Sequence, residues 1–164
     1  MTDIAPTLTG ARTYFEDLAV GRRIRHHRGK TVTEVEGVLI TNLVVNTAQA
    51  HFNEDSMKSQ PIGERIVFGG ITASIVIGLA SQDASDNVVR ELAIKNMKLA
   101  VPVVHGDTLY AFTEVIDAKP VDDTCGEMLL HHWGVNQRQQ IVFECDRRLI
   151  VRRRAPRTLP ASAG

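Results

Sequence analysis

The longest apolar stretch of the chain follows a pair of glycines, and it predicts the element around which the rest of the fold is organised. Residues 71–80 carry no charge and almost no polar side chain, and Gly69 and Gly70 come directly before them. A helix that is apolar on every side is a buried helix. The pattern therefore predicts a buried helix that begins at the glycine pair and ends near Ala80, with a polar loop over 81–87.

The region after this helix alternates apolar and polar residues in the manner of strands. Strands are predicted over 90–99, 108–116, 128–135 and 140–151, and the last two form a hairpin around 136–139. In the last strand the residues expected to face the core are Ile141, Phe143, Cys145, Leu149 and Val151. One buried helix and an antiparallel sheet that wraps around it make an α+β fold.

The region before the buried helix contains one strand and two short helices in this interpretation. Ile24–Gly29 is the predicted strand. Thr33 and Glu36 form a capping box that starts a helix running to about Thr47. A second short helix is predicted over 54–59. The domain boundaries follow: a flexible arm over 1–12, a single domain over 13–154 and a disordered tail over 155–164.

Composition narrows the classes of protein to which the chain can belong. With 164 residues the chain is long enough for one domain, and its formal net charge of zero gives no general attraction to nucleic acid or to a membrane surface. Cys125 and Cys145 lack CxxC spacing and are expected to be free thiols. No secretory signal pattern is found, and no apolar run reaches about 18 residues. We therefore expect a soluble cytoplasmic protein.

Arginines are concentrated at both ends of the predicted domain, and two interpretations of them stay open. They form a solvated strand face, or they bind an anion such as the phosphates of a nucleotide-like ligand. The residues concerned are Arg22, Arg23, Arg25 and Arg28 near the start, and Arg147, Arg148, Arg152, Arg153, Arg154 and Arg157 near the end.

Candidate chemistry centres on His51 and the glycine pair. The start of a helix presents free backbone N–H groups at the positive end of the helix dipole, so Gly69 can hold a developing oxyanion. His51 lies in a polar segment just after a predicted helix, where it is either a general base or an ordinary exposed histidine. No spacing typical of a metal site, a nucleophile elbow or a phosphate loop is found. The remaining reaction type is general base catalysis by His51, in which the backbone N–H groups at the glycine pair stabilise a developing oxyanion.

Three stretches of the chain resemble the MaoC-like hydratases of the hot dog superfamily, which include the (R)-specific enoyl-CoA hydratases. Residues 46–53 are similar to the family segment D-x-N-P-x-H-x-D, and residues 65–74 to R-I-V-H-G-M-L-T-A-S. Residues 102–109 are similar to P-V-x-x-G-D-T-L, which is common to many hot dog proteins. The first segment and residues 78–85 also resemble the mesaconyl-CoA and itaconyl-CoA hydratase branch.

The resemblance implies a hot dog fold and a hydro-lyase that adds water to, or removes it from, a 2-enoyl-CoA thioester. It places the acid/base on His51 and the oxyanion donor on Gly69, with Gly70, Phe68, Arg65 and Asn53 around the substrate. It implies no metal and no cofactor beyond the CoA of the substrate itself. It also implies a homodimer or a larger homo-oligomer, with no nucleic-acid or membrane partner.

The chain departs from the family pattern at Asn46, where the family has a catalytic Asp. Three explanations stay open: His51 acts alone on the water, another carboxylate such as Asp83, Glu54 or Asp55 substitutes, or hydratase activity is lost. A neutral Asn46 also removes a like-charge penalty of a few kcal/mol against an acyl group that carries its own carboxylate. A dicarboxylyl-CoA substrate is therefore expected, with Arg65 or another basic residue pairing the second carboxylate.

Two alternatives to the hydratase assignment use the same scaffold. An acyl-CoA thioesterase often places a carboxylate on or opposite the central helix, and this helix carries none before Asp83. A non-catalytic acyl-CoA-binding protein is compatible with Asn46, and activity that depends on His51 excludes it.

Overall fold

A computed structural model describes Ile4, Pro6–Thr7 and residues 13–155 of the chain. One long helix packs against a six-stranded sheet, and three short helices precede it in the chain. In chain order the elements are β1 (Pro6–Thr7), a 3-10 turn (Phe15–Asp17), β2 (Arg23–Thr31), α1 (Glu34–Leu43), α2 (Gln49–Phe52), α3 (Glu54–Met57), α4 (Gly69–Ala84), β3 (Val88–Leu99), β4 (Thr108–Pro120), β5 (Cys125–Val135) and β6 (Ile141–Arg152).

The sheet has the strand order β1-β2-β4-β5-β6-β3, and its strands are antiparallel except for the two-residue β1, which pairs parallel with β2. The four predicted strands after the central helix are present, and β4 runs on to Pro120 while β5 begins already at Cys125. This confirms the predicted α+β class. The predicted arm over 1–12 and tail over 155–164 lie almost entirely outside the described residues.

The central helix α4 begins at Gly69 as predicted but ends at Ala84, so the predicted loop over 81–87 is wrong in its first half. The helix buries Ile71, Val76 and Ala80 against the sheet, as its apolar sequence requires. Asp83 is also buried, with a relative exposure of 2%. Among the polar residues of this last turn, Gln82 is exposed and Ser81 half-buried, whereas Asp83 faces the interior, where it has a partner.

The partner of Asp83 is His26, which belongs to a chain of buried polar side chains that crosses three strands beneath α4. The His26 Nδ1–H donates to Asp83 Oδ2 at 2.8 Å, and the Thr113 hydroxyl lies 2.7 Å from His26 Nε2. His132 Nδ1 lies 2.8 Å from the same hydroxyl. A carboxylate only accepts, so the donors run in one direction, from His132 through Thr113 to His26 and from His26 to Asp83. Burial lowers the pKa of His26, although Asp83 acts in the opposite direction, and burial lowers the pKa of His132 well below its usual value.

The short helices before α4 differ from the prediction in length and number. The Thr33–Glu36 capping box is present, but α1 ends at Leu43 rather than near Thr47. The second short helix is α3, which ends at Met57 rather than at residue 59. The additional helix α2 was not predicted, and it places His51 inside a helical turn rather than in a polar loop.

The core-facing pattern of β6 is confirmed at four of its five predicted positions. Phe143, Cys145, Leu149 and Val151 are buried, whereas Ile141 at the strand start is 36% exposed. Arg147 also faces inward, and its buried guanidinium pairs with Glu91 on β3 at 2.6 Å. Within the described residues, no helix is long and apolar enough to cross a membrane.

Candidate active site

A cavity of about 380 Å³ opens where α4 begins, between the helix and the chain that follows β3. Asn46, His51, Phe68, Gly69 and Thr72 contribute to its lining together with Gly70. The rest of the lining is backbone and apolar side chain from Ile66, Val67, Leu99, Ala100, Val101, Pro102, Val103 and Val142. The cavity therefore joins a few polar groups to an apolar wall, as small-molecule sites do.

The first turn of α4 leaves two backbone donors free at this cavity. The residue before the helix is Phe68, whose side chain has no oxygen to accept a hydrogen bond from the first turn. The Ile71 N–H donates to the Phe68 carbonyl at 2.9 Å, while the N–H groups of Gly69 and Gly70 have no partner among the described residues. Both groups lie at the positive end of the helix dipole, so negative charge placed here would be favoured.

Glycine is required at position 69 because a side chain there would collide with a neighbouring residue, and not because of its backbone conformation. A Cβ atom built on Gly69 would lie 2.2 Å from Cδ1 of Leu99, which is a cavity residue. Any side chain at this position would therefore move Leu99 and change the shape of the cavity beside the free N–H group.

His51 is held by the segment that leads into α4. Its Nδ1 lies 2.8 Å from the Ile66 carbonyl oxygen, which can only accept, so Nδ1 carries the proton. The Ile66 N–H in turn donates to the Ala50 carbonyl at 3.0 Å. The Phe68 ring meets the imidazole edge-on with centroids 5.8 Å apart. This fixed tautomer leaves the lone pair of Nε2 available to take a proton, as a general base requires.

Asn46 is directed into the cavity by a strained helix end. The Asn46 N–H donates to the Thr41 carbonyl and the Val45 N–H to the Asn42 carbonyl, which together make a Schellman motif at the end of α1. The left-handed position of this motif is usually glycine, and here it is Val45, with φ of 56°. Such a conformation costs about 1–3 kcal/mol for a branched residue.

The Asn46 side chain has one of its two polar groups already in use. Its Oδ1 accepts from the Ala48 N–H at 3.0 Å, and this backbone donor decides which end of the amide is oxygen. The Nδ2 group is a donor without a partner among the described residues. Asn46 therefore offers the cavity a neutral hydrogen-bond donor at the place where a carboxylate would offer negative charge.

Thr72 is a cavity residue that the sequence analysis missed. It lies one turn into α4 with a relative exposure of 2%, and within the described part of the chain its hydroxyl has no hydrogen-bond partner. The signals in the sequence are its match to the Thr of the family segment resembled by residues 65–74, and its spacing of three residues from Gly69, which places both on the first turn of the same helix.

Two residues expected around the substrate do not line the cavity. Arg65 donates to Glu54 Oε2 at 2.7 Å and also pairs with Glu34, so its charge is already matched by two carboxylates. Asn53 begins α3, and its Oδ1 accepts the Ser56 N–H at 3.0 Å. The placement of both residues therefore gives no support to the expectation that they bind substrate.

The carboxylates considered as substitutes for the family Asp also lie outside the cavity lining. Asp83 is buried against His26, Glu54 is paired with Arg65, and Asp55 is exposed near Lys58. No carboxylate lines the cavity among the residues that the structure describes. Of the three explanations for Asn46, substitution by these carboxylates is thus the one that the geometry disfavours.

The basic cluster at the end of the domain is largely engaged in ion pairs: four of its six arginines are paired, Arg152 is exposed, and Arg157 lies outside the described residues. Its pairs are Arg147–Glu91, Arg148–Glu127, Arg153–Glu16 and Arg154–Asp17. This pairing favours the interpretation as a structural, partly solvated face over a phosphate site. Over the described ranges, no group of three His, Cys, Asp or Glu side chains is arranged to hold a metal ion.

Comparison with known proteins identifies the family. The profile of the family described as mesaconyl-CoA hydratase matches residues 4–153. Mesaconyl-CoA hydratases from Haloarcula hispanica and Cereibacter sphaeroides are 32% and 35% identical over 133 and 130 residues, which is 79% of this chain in each case. The alignments cover only 36% and 37% of those relatives, so the chain spans about a third of the length of the curated relatives that it matches.

Solved structures identify the architecture. A MaoC domain protein dehydratase from Chloroflexus aurantiacus superposes with a TM-score of 0.81 at 26% identity, over 89% of this chain and 46% of that one. Rv0216 from Mycobacterium tuberculosis, described as a double hot dog fold, superposes with a TM-score of 0.77 at 21% identity, over 92% of this chain and 47% of that one. The fold is therefore the hot dog fold, as the sequence predicted, and this chain covers about half of the double hot dog protein.

Proposed function

This chain belongs to the mesaconyl-CoA hydratase family, and we propose that it adds water to the double bond of a 2-enoyl-CoA thioester, or removes water in the reverse reaction. One observation carries the proposal: the same cavity contains His51, with Nδ1 committed to a carbonyl and Nε2 free, and the unpaired N–H groups at Gly69 and Gly70.

Each group has a defined task in this reaction. Nε2 of His51 takes a proton from water as the water oxygen bonds to C3 of the enoyl group. The electron pair of the double bond moves toward the thioester carbonyl, and the N–H groups of Gly69 and Gly70 stabilise the enolate oxygen. The His51 imidazolium then returns the proton to C2. A positioned acid/base contributes about 10²–10⁴-fold, and loss of one oxyanion donor costs about 10²–10³-fold.

The proposed substrate is a branched dicarboxylyl-CoA such as mesaconyl-CoA or itaconyl-CoA. Asn46 supports this choice because its free Nδ2 donates a hydrogen bond and carries no charge. An Asp at this position would repel a second acyl carboxylate 4 Å away by about 4 kcal/mol at an effective dielectric of 20. The hydroxyl of Thr72 is a second neutral donor on the cavity wall.

The test follows the conjugation of the enoyl thioester by absorbance, using crotonyl-CoA, mesaconyl-CoA and itaconyl-CoA with wild type and His51→Ala. We expect loss of conjugation without release of CoA thiol, and at least 10²-fold slower turnover in His51→Ala. Release of thiol would assign the chain to the thioesterases. Binding of CoA esters without turnover would make it a non-catalytic acyl-CoA-binding protein.

The substrate charge is tested by Asn46→Asp, with Asn42→Asp as the matched control. Asn42 lies four residues earlier on α1, its side-chain amide donates to the Val38 carbonyl, and it does not line the cavity. We expect Asn46→Asp to favour crotonyl-CoA over mesaconyl-CoA by up to about 10³-fold relative to wild type, and the control to leave the ratio unchanged. Equal gains or losses on both substrates would refute the charge argument.

We also propose that the chain functions as a homodimer or a larger assembly with the single partner class of CoA thioesters and no metal or added cofactor. The similarity to proteins about twice or three times as long supports a pairing of hot dog units. Light scattering of the purified chain measures the assembly, and a monomer that turns over substrate at the full rate would refute this part.

A further inference from the structure

The segment that carries Asn46 and His51 has little hydrophobic anchoring. Over residues 34–57 only Gly37, Thr41 and Met57 are buried. The apolar side chains of α1 that repeat every four residues point to solvent instead, with exposures of 75% at Val35, 55% at Leu39 and 72% at Leu43. Burial of apolar area is the usual source of attachment for a helix, so within one chain this segment relies to a large extent on polar contacts.

Arg65 supplies such a contact at both ends of the segment. Its Nε donates to Glu54 at the start of α3, and its Nη2 pairs with Glu34 at the start of α1. The Arg65 side chain is only 14% exposed, whereas those of Glu34 and Glu54 are 64% and 48% exposed. One rigid guanidinium thus joins the first residues of two helices, which a flexible ammonium cannot do with the same geometry.

The neighbouring residue Ile66 connects this arrangement to the site. Its N–H and carbonyl bond to Ala50 and to the His51 imidazole, one residue away from Arg65. Any shift of α1 and α3 relative to Arg65 is therefore a shift relative to the carbonyl that fixes the His51 tautomer.

The charges around Arg65 increase the effect of its removal. Glu34, Glu54 and Glu64 surround the guanidinium in a shallow depression beside His105. The imidazole of His105 packs against α1 at Gly37, where an added Cβ would lie 2.3 Å from Nε2. Without Arg65, three carboxylates face one another with no cation between them, and their repulsion acts directly on the starts of α1 and α3.

We propose that Arg65 is a positioning residue for catalysis: it joins α1 to α3 through Glu34 and Glu54 and thereby holds His51 in hydrogen-bond register with Ile66. The expected loss of turnover rests on the proposed function. The expected effect of Arg65 on the position of His51 does not. The positioning role also replaces the expectation that Arg65 binds the substrate carboxylate.

The experiment compares Arg65→Gln and Arg65→Lys with Arg23→Gln. Arg23 makes a similar two-point contact with Glu114 at 2.9 and 3.3 Å, on strands β2 and β4 and outside the cavity. We expect kcat to fall about 10- to 100-fold in Arg65→Gln, with KM within about twofold of wild type, since displacement of a catalytic group acts on the chemical step. Arg65→Lys should recover part of kcat, and Arg23→Gln should match wild type.

A Glu34→Ala/Glu54→Ala variant, which leaves the Arg65 guanidinium no side-chain acceptor at either position, separates positioning from substrate binding. If Arg65 holds the helices, removing both of its partners lowers kcat as Arg65→Gln does. If Arg65 binds the substrate carboxylate, freeing its guanidinium lowers KM for mesaconyl-CoA, and Arg65→Gln raises KM with kcat unchanged. That second pattern would overturn the proposal.

Nitrogen-15 NMR of the histidine side chains tests the same idea without any turnover. We expect His51 of wild type to be protonated at Nδ1 alone, and Arg65→Gln to show a mixture of the two neutral tautomers. A wild-type tautomer in Arg65→Gln, in a protein whose circular dichroism is unchanged, refutes the positioning role even if no substrate is turned over. Altered tautomers in a chain that hydrates no enoyl-CoA would instead refute only the proposed function.

Discussion

Asp83→Ala tests the buried polar chain beneath α4. Asp83 and His26 have side-chain exposures of 1% and 0%, and their 2.8 Å contact joins the last turn of α4 to β2. Removing one partner of a buried pair typically costs about 3–5 kcal/mol, since the other is left unsatisfied in the core. Asp83 Oδ1 already lacks a partner among the described residues, which lowers the contribution of the wild-type pair to the free energy of unfolding. We therefore expect a loss of about 3 kcal/mol.

This loss is large enough to measure by two methods. With a urea slope of about 2 kcal/mol/M, the unfolding midpoint should fall by about 1.5 M, as followed by the fluorescence of the buried Trp133. The melting temperature should fall by about 6–12 °C for a chain of this size. Asp83→Asn keeps an acceptor for the His26 N–H and loses only the charge, so it should cost about 1 kcal/mol.

Two controls make the result decisive. Asp117→Asn removes an exposed carboxylate paired with Lys119 and should leave the urea midpoint unchanged. The kcat of Asp83→Asn should also stay unchanged, because Asp83 does not line the cavity. Wild-type stability in Asp83→Ala would refute the energetic value of the buried chain. Wild-type stability with lost turnover in Asp83→Asn would restore Asp83 as the substitute for the family carboxylate.

Three further predictions concern the site, the acid response and the thiols. Gly69→Ala should lower kcat/KM about 10-fold or more because its Cβ would lie 2.2 Å from Leu99, and a Gly69→Ala/Leu99→Ala double variant should recover part of the rate in the same assay. Stability should fall as the pH drops from 7 to 5. The pKa of His132 is lower in the folded than in the unfolded chain, so the unfolded chain takes up more protons below about pH 6.5. A urea midpoint that stays constant over this pH range would contradict the prediction. Burial raises the pKa of Cys145 to about 11, so a disulfide reagent at pH 8 should count Cys125 alone in the folded protein and both thiols in urea; two reactive thiols without urea would refute it.

Local signals in the sequence were sufficient for much of the fold. The Thr33–Glu36 capping box depends on residues three apart, and it starts α1 where predicted. The alternation in β6 and the apolar run after Gly69 likewise depend on neighbouring positions. The end of α4 could not be predicted in this way, because the partner that makes Asp83 acceptable inside a helix lies 57 residues earlier, at His26.

The residues of the site were likewise predictable from local sequence signals in some cases and dependent on contacts distant in the chain in others. Spacing and resemblance directed attention to Asn46, His51 and Gly69, and the structure places all three around one cavity. Arg65 was expected there because it is the first residue of the 65–74 motif and carries a positive charge, but its partners come from α1 and α3. Thr72 was missed because a threonine among apolar helix residues is indistinguishable from a core residue until the cavity beside it is known.

The sparse burial of residues 34–57 also determines how this protein responds to its ligand. A unit with few buried apolar side chains opens at a lower free energy than the whole domain, so amide hydrogens in α1 and α2 should exchange through local opening. A substrate that binds only the closed form loses affinity in proportion to the fraction of molecules that are open. Variants that hold the segment closed should therefore bind substrate more tightly without any new contact to it, and hydrogen exchange in α1 would report occupancy of the cavity.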